Sequence, residues 1–320
     1  MVIKVNYSSQ GIKIKVGKIS SSYSLPLTFA VYRPYGTFHG PWRRSGIHPV
    51  VWSMPLYDDG WATFSDPEMY NALVTDAYGK ILVHKKWNPL EHGDHLYKAL
   101  YSYCQKLSKT GKKPKGVAIG THDGAYGEWV PVVQDGLTDA CLVEASAPQF
   151  EALTSNYGKH TNVKLVNEVI STNGQNIEFF EGGAGYTNSV VERVPTRDAQ
   201  IMHKGLEARN ITSWDPIKEL KSISRPSLSI NELISNYLQD DEKLDWLHLD
   251  VEGYDADLLS ALKDPLPNLI IFEHEHLNET QKQSIMTFLA NKGFKIEKKL
   301  NSAPVLEQTN NQTLAIKSAA

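Results

Sequence analysis

Along the chain the spacing of apolar residues changes from two to mixed periods, and the change divides it into two kinds of segment. Up to about residue 90, apolar and polar positions alternate. Ile3 and Val5, then Ile12, Ile14 and Val16, are interleaved with lysines on either side of a Ser-Ser-Gln-Gly turn. A period of two puts one side of a strand in a core and the other in water, so this start predicts a hairpin. The runs "LTFAVYR", "HPVVWSM" and "GKILVHKKW", separated by Pro, Gly and Asp, predict further strands. From His95 the period lengthens. Leu96, Ala99, Leu100, Tyr103 and Leu107 fall on one face of a helix, which "SKTGKKPKG" ends with a glycine and a proline.

Beyond Lys115 short apolar runs alternate with helical ones. "GVAIG", "ACLVEAS", "VKLVNEVIS", "LDWLHLD" and "NLIIFEHEHL" predict five successive strands. "AYGEWVPVVQDG", "APQFEALTSNYG", "SINELISNYLQD", "DADLLSALK" and "ETQKQSIMTFLANKG" predict helices among them, and "FKIEKKL" and "QTLAIKS" two closing strands. Residues 177–227, rich in Gly, Ser and Asn, read as irregular, and Gly182, Gly183 and Gly185 predict a loop over an acceptor. Alternation of this kind predicts an α/β fold, a mostly parallel sheet with helices on both faces, behind a small β-rich domain. The expected domains are residues 1–90 and 91–320.

Composition narrows the class. With 320 residues, 41% of them hydrophobic, the chain has ample material for a packed core. A net charge of -3 lacks the broadly basic character of a nucleic-acid binder, so no nucleic-acid partner is expected. No segment approaches the roughly 18 uninterrupted apolar residues of a membrane span. Cys104 and Cys141 lie far apart with no pairing pattern, which fits free thiols in a reducing, cytoplasmic compartment. The first domain is crowded with aromatics. Trp42, Trp52, Trp61 and Trp87 fit a core better than a platform for a sugar ring. The lysines around "SKTGKKPKG" read as a solvated connection.

The chemistry is expected beyond the carboxyl ends of the strands. "VAIGTHDGAYGEW" ends the first strand of the second domain in Gly120, Gly124 and Gly127, spaced unlike the dinucleotide fingerprint. Glu144 ends the next strand, where a carboxylate can accept hydrogen bonds from both cis hydroxyls of a ribose. The turn carries Asp123 and no lysine, which serves a pyrophosphate poorly. A cofactor with a ribose, an amino-acid ammonium group and no phosphate fits better, and S-adenosylmethionine is one.

The blocks "AIGTHDGAYGEW", "LVEASAPQFEALTSNY", "VKLVNEVISTNGQNIEFF", "SLSINELI", "DWLHLDVEGYDADLL" and "PNLIIFEHE" resemble, in order and spacing, those of the FkbM-type S-adenosylmethionine-dependent methyltransferases. The resemblance spans about residues 115–275, with the Asp-Val-Glu-Gly block at 250–253 the most specific. It implies a Rossmann-like seven-stranded methyltransferase sheet and methyl transfer to a hydroxyl oxygen, often of a sugar or secondary metabolite. It also implies that Gly120, Thr121, His122, Asp123, Gly124, Gly127, Glu144, Ala145 and Asp250 surround the cofactor, with Glu168 and Val169 beside the adenine. Departures from the family pattern at Ala118, Thr121, His122 and His248 leave the amino-acid end of the cofactor to Asp123, His122 and backbone amides.

Methyl transfer to a hydroxyl needs alignment, exclusion of water and a proton acceptor. "HLDVEGYD" and "FEHEH" end adjacent predicted strands, so Asp250 is expected near the methyl group, with Glu252 or His274 as proton acceptor. Period-two alternation puts His274 and His276 on one face and Glu273 and Glu275 on the other. Asp250, Glu252, His274 and His276 also have the donor types of a divalent-metal site, but spacing alone does not demand one and no metal is assigned. The expected acceptor is a small molecule or saccharide. A nicotinamide-dependent oxidoreductase, which shares the strand-end acid, and a non-catalytic binding protein are the rival readings.

Overall fold

The computed structural model describes residues 2–8, 11–17, 27–32, 50–56, 60–64, 71–75, 77–78, 81–85, 88–91, 95–124, 127–182, 187–189, 221–274, 276–297 and 312–317. The chain forms two compact units, residues 1–102 and 103–320. In the first, β1 (Val2–Ser8) and β2 (Gly11–Gly17) make the expected antiparallel hairpin, extended by β5 (Gly60–Phe64). Strands β3 (Leu27–Tyr32), β4 (Val50–Leu56), β6 (Asn71–Thr75) and β7 (Ile81–Lys85) form a sheet in the order β4-β3-β6-β7. Ile12, Ile14 and Val16 are buried with Leu27, Phe29, Val31, Ala72 and Val74, while Lys13 and Lys15 between them are exposed. Trp42 and Trp87, and the side chains of Trp52 and Trp61, lie outside the described residues.

Helix α1 (His95–Lys109) leads into the second unit. There, β8 (Lys115–Ile119), β9 (Asp139–Val143), β10 (Val163–Val166), β16 (Trp246–Leu249), β17 (Leu269–Glu273), β18 (Phe294–Glu297) and β19 (Gln312–Lys317) form one seven-stranded sheet. Its order is β10-β9-β8-β16-β17-β19-β18, with β19 antiparallel to both neighbours and the first five strands parallel. Helices α2 (Val130–Gln134), α3 (Ala147–Tyr157), α4 (Ile230–Tyr237), α5 (Asp255–Ala261) and α6 (Glu279–Asn291) separate the strands in sequence.

Strands sandwiched between helices are apolar on both faces. Val117, Ile119, Cys141, Val143, Leu247, Leu249, Ile270 and Phe272 point one way, into a cluster with Ile230, Leu233, Leu258, Leu259, Ile285 and Leu289 of α4, α5 and α6. Ala118, Leu142, His248 and Ile271, the alternate positions, are buried on the opposite face. At the amino ends of the strands the linker lysines are ion-paired. Lys112 reaches buried Asp245 at 2.7 Å, Lys113 reaches Asp139 at 2.7 Å, and Lys115 reaches Glu242 at 2.9 Å.

Two expectations need correction. "VKLVNEVIS" is two strands: β10 joins the large sheet, and β11 (Val169–Ser171) pairs in parallel with β15 (Ser227–Ser229). The break falls at Asn167, whose side-chain amide donates to the carbonyls of Glu144 at 2.7 Å and Ala145 at 3.2 Å. The stretch read as irregular contains an antiparallel sheet, β12 (Ile177–Gly182) between β13 (Thr187–Ser189) and β14 (Lys221–Arg225). Buried Phe179 and exposed Glu178 keep strand alternation there despite the surrounding glycines. Gly183, Gly185 and residues 190–220 lie outside the described residues.

Candidate active site

From β8 the chain winds outward through β9 to β10, then returns to β16 beside β8 and winds the other way to β17. Ligands of doubly wound sheets bind beyond the carboxyl ends at such a reversal. Here the two turns touch. The Asp250 amide donates to Ile119 O at 3.0 Å, and the Gly120 and Thr121 amides donate to Val143 O at 3.0 and 3.2 Å. Gly120 has φ +79°, and a Cβ on it would stand 1.8 Å from the Asp250 carbonyl oxygen. Only a residue without a side chain lets the turns approach this closely.

Gly124, at φ +77°, serves packing: a Cβ there would stand 2.4 Å from the Tyr157 ring, whose hydroxyl donates to Gly124 O at 2.8 Å. Gly127 closes the turn beside Trp129. The Thr121 hydroxyl is buried and donates to Val143 O at 3.1 Å. The exposed ring of His122 lies with Nδ1 3.5 Å from Oδ1 of buried Asp123. Partial desolvation by the surrounding turn pulls the His122 ring down, but the hydrogen bond and charge of Asp123, with the charges of Glu144 and Glu252, bring it above the usual imidazole value.

Glu144 meets this turn directly. Its Oε2 accepts from the His122 amide and its Oε1 from the Ser146 amide, both at 2.8 Å. Burial raises its carboxyl above the usual range, against the pull of the Ser146 amide, the His122 charge and the His122 amide. The Ala145 carbonyl accepts from Arg225 Nη1 at 3.2 Å. Glu168 is exposed at the start of β11, whereas the Val169 side chain is 1% exposed.

Asp250 is half-buried and accepts from Gln312 Nε2 at 3.3 Å. Burial, then the charges of Glu252, Asp255 and Glu128, hold its carboxyl well above the usual range, while the Gln312 amide pulls it down. Glu252 has φ +57°, and its Oε2 lies 3.2 Å from His276 Nε2. Oε1 of buried Glu273 lies 3.7 Å from the same nitrogen. His274 turns elsewhere, with Nδ1 3.0 Å from Thr313 Oγ1 on β19.

The expected face assignment for "FEHEH" is therefore wrong. Strand β17 stops at Glu273, and the chain turns, with the Leu277 amide donating to His274 O at 3.3 Å. Past a strand end the alternation no longer applies, so His276 comes back to Glu252 and Glu273. Glu275 lies outside the described residues.

Sequence reasoning offered His276 only as a possible metal donor, gave Glu273 no role, and missed Gln312 and Glu128. His248 Nε2 and Glu128 Oε2, both buried, lie 3.0 Å apart and tie the end of the glycine turn to β16 two residues before Asp250. Nothing in the spacing of residues 128 and 248 announced that pair.

Asp255, fully buried at the start of α5, accepts from the Gly253 amide at 3.2 Å through Oδ2. Burial lifts its carboxyl from 3.8 to about 6. A folded-state value above the unfolded one means that folding favours the proton. The associated stability is complete below pH 4 and is lost as the pH rises through 6. Asp255→Asn keeps an acceptor oxygen and removes the ionisation. We expect it to raise stability by about 3 kcal/mol at pH 8, two pKa units of differential ionisation, and by little at pH 4. Urea unfolding at the two pH values checks this, and equal differences at both would refute it.

A doubly wound sheet with one reversed strand, and a glycine turn joined to a strand-end acid at the point of reversal, define a methyltransferase-type α/β domain. The model of the "Methyltransferase FkbM domain" matches residues 95–296, and the chain belongs to that family of S-adenosylmethionine-dependent methyltransferases. Among curated proteins nothing matches. Solved structures similar to it include the precorrin-6y C5,15-methyltransferase of Geobacter metallireducens, 13% identical, covering 68% of this chain and 87% of that one at a TM-score of 0.32. The Methanococcus jannaschii fibrillarin pre-rRNA processing protein is 14% identical, covering 65% and 68% at 0.32. The N-terminal domain of human METTL16 in complex with SAH is 9% identical, covering 70% of each chain at 0.33. Likenesses this distant carry no argument about substrate. Among the described residues no helix is long and apolar enough to cross a membrane.

Proposed function

We propose that the chain methylates a hydroxyl oxygen of a small-molecule or saccharide acceptor, with residues 91–320 as the catalytic domain and S-adenosylmethionine as donor. The observation that carries this reading is the convergence of the Gly120 turn, Glu144 and Asp250 at one strand reversal. The residues fit the cofactor. Each Glu144 oxygen accepts one backbone amide, and a carboxylate has about four acceptor sites in all, which leaves room for a ribose diol. His122 and Asp123 stand at the same turn for the amino-acid end. The buried Val169 side chain leaves only its backbone, with Glu168, for the adenine edge.

When bound, the cofactor supplies an electrophilic methyl group on a sulfonium. The protein must then line up the acceptor oxygen and receive its proton, and Asp250 and Glu252, in the turn after β16, are the carboxylates we assign to that task. The His274 ring, engaged with Thr313, is a poorer candidate for that proton than the sequence implied. A net charge of -3 favours an acceptor other than nucleic acid. The buried free thiols of Cys104 and Cys141, the latter pushed up by burial to about 12, fit a cytoplasmic location.

Calorimetric titration with S-adenosylmethionine tests the reading. Binding is expected, with Glu144→Ala weakening it tenfold or more, roughly the 1.4 kcal/mol of one lost charged hydrogen bond. No heat up to millimolar cofactor would remove the proposal, and unchanged affinity in the variant would move the ribose elsewhere.

A further inference from the structure

The ends of β16 and β17 bring together three donors of two kinds. One oxygen each of Glu252 and Glu273 and a ring nitrogen of His276 all lie within 4.8 Å of one another. Both carboxylates approach the same atom, His276 Nε2, at 3.2 and 3.7 Å. That nitrogen carries at most one hydrogen and points it along one direction. A single N–H cannot bond both carboxylates well, whereas a divalent cation takes all three donors at once. Donors held about 2.1 Å from one ion at right angles stand about 3 Å apart, close to these separations.

The three side chains differ in exposure in a way that suits an ion reached from solvent. Glu273 is 11% exposed, His276 24% and Glu252 30%, so the set has a buried floor and an open side. Glu252 comes from the turn after β16, and Glu273 ends β17, the strand paired with β16. The sheet register thus fixes two ligands, and the turn at 274–277 brings the third. Two carboxylates and one imidazole suit manganese, iron or zinc better than calcium, which prefers oxygen donors alone.

We propose that Glu252, Glu273 and His276 form a binding site for one divalent transition-metal ion. Its purpose rests on the methyl-transfer reading. An ion with open positions would hold the acceptor's hydroxyl and make it more acidic, leaving Asp250 to receive the proton. Its existence does not depend on that reading.

The test uses the full chain, stripped with a chelator and titrated with Mn2+ alone while free Mn2+ is followed by electron paramagnetic resonance. One ion is expected to bind at submillimolar concentration, with His276→Ala and Glu273→Gln each weakening it at least tenfold. His276 is part-exposed, so its variant carries the result if loss of the buried Glu273 charge disturbs folding, as circular dichroism would reveal. Glu252→Gln, at the most exposed ligand, is the third arm. Absence of binding up to millimolar Mn2+, or equal affinity in folded variants, would leave only a hydrogen-bonded histidine and overturn the site. Cofactor titration of the stripped protein separates the two ideas: its failure sinks the methyl-transfer reading and leaves the ion's affinity untouched.

Discussion

Asp250→Asn is expected to lower turnover about a hundredfold or more, the usual scale of positioned acid-base help, while cofactor affinity changes little. Turnover is read as S-adenosylhomocysteine released in the presence of an acceptor, affinity by calorimetry. The asparagine keeps the shape and one oxygen to accept from Gln312, so the turn after β16 stays in place. It loses the group proposed to take the proton. The substitution also removes one charge from a crowd that includes Glu252, Asp255 and Glu128, so the folded state should be no less stable than the parent. That combination separates a chemical role from a structural one. A variant that melts early and binds cofactor poorly would show that Asp250 only builds the turn, and one with full turnover would pass the proton to Glu252, the other carboxylate of that turn.

Gly120→Ala should disrupt both the fold locally and cofactor binding. At φ +79° an alanine costs on the order of 1–2 kcal/mol by backbone conformation alone. The larger effect is steric. The new Cβ would stand 1.8 Å from the Asp250 carbonyl oxygen, a backbone atom that cannot rotate away. The turns after β8 and β16 must separate, which carries Asp250 away from the turn that Glu144 holds through the His122 amide. We expect a stability loss of about 3–5 kcal/mol, the range of severe backbone and packing lesions, and cofactor affinity reduced beyond tenfold. Gly136→Ala is the control. It has φ +68° with nothing within 4 Å of the added Cβ, so only the conformational cost applies. Equal losses in thermal stability for the two variants would mean that the close contact is not what glycine is needed for at position 120.

Much of this architecture was legible from residue spacing. Ile12, Ile14 and Val16 alternate with lysines because one face of β2 is buried and the other wet, and the apolar runs of β8, β9, β16 and β17 are continuous because both faces are covered. The glycine turn and Glu144 could be paired because each ends a short apolar run, and parallel strands bring such ends to one edge. Where reading failed, a local rule had been carried past the element it belongs to. The period of two assigned faces to His274 and His276, but β17 ends one residue earlier. The run "VKLVNEVIS" reads as one strand, yet Asn167 leaves the ladder to bond the carbonyls after β9.

By itself the sequence determined the family, the alternating strands and helices, and which residue types stand at the strand ends, since these follow from local order and periodicity. The tertiary structure alone decided which of those residues meet. Contacts such as His276 with Glu252, Glu128 with His248 and Gln312 with Asp250 join positions 24, 120 and 62 residues apart in the chain. No local period reaches across such gaps. Their partners are set by strand order and by where each strand stops, which are properties of the packed sheet.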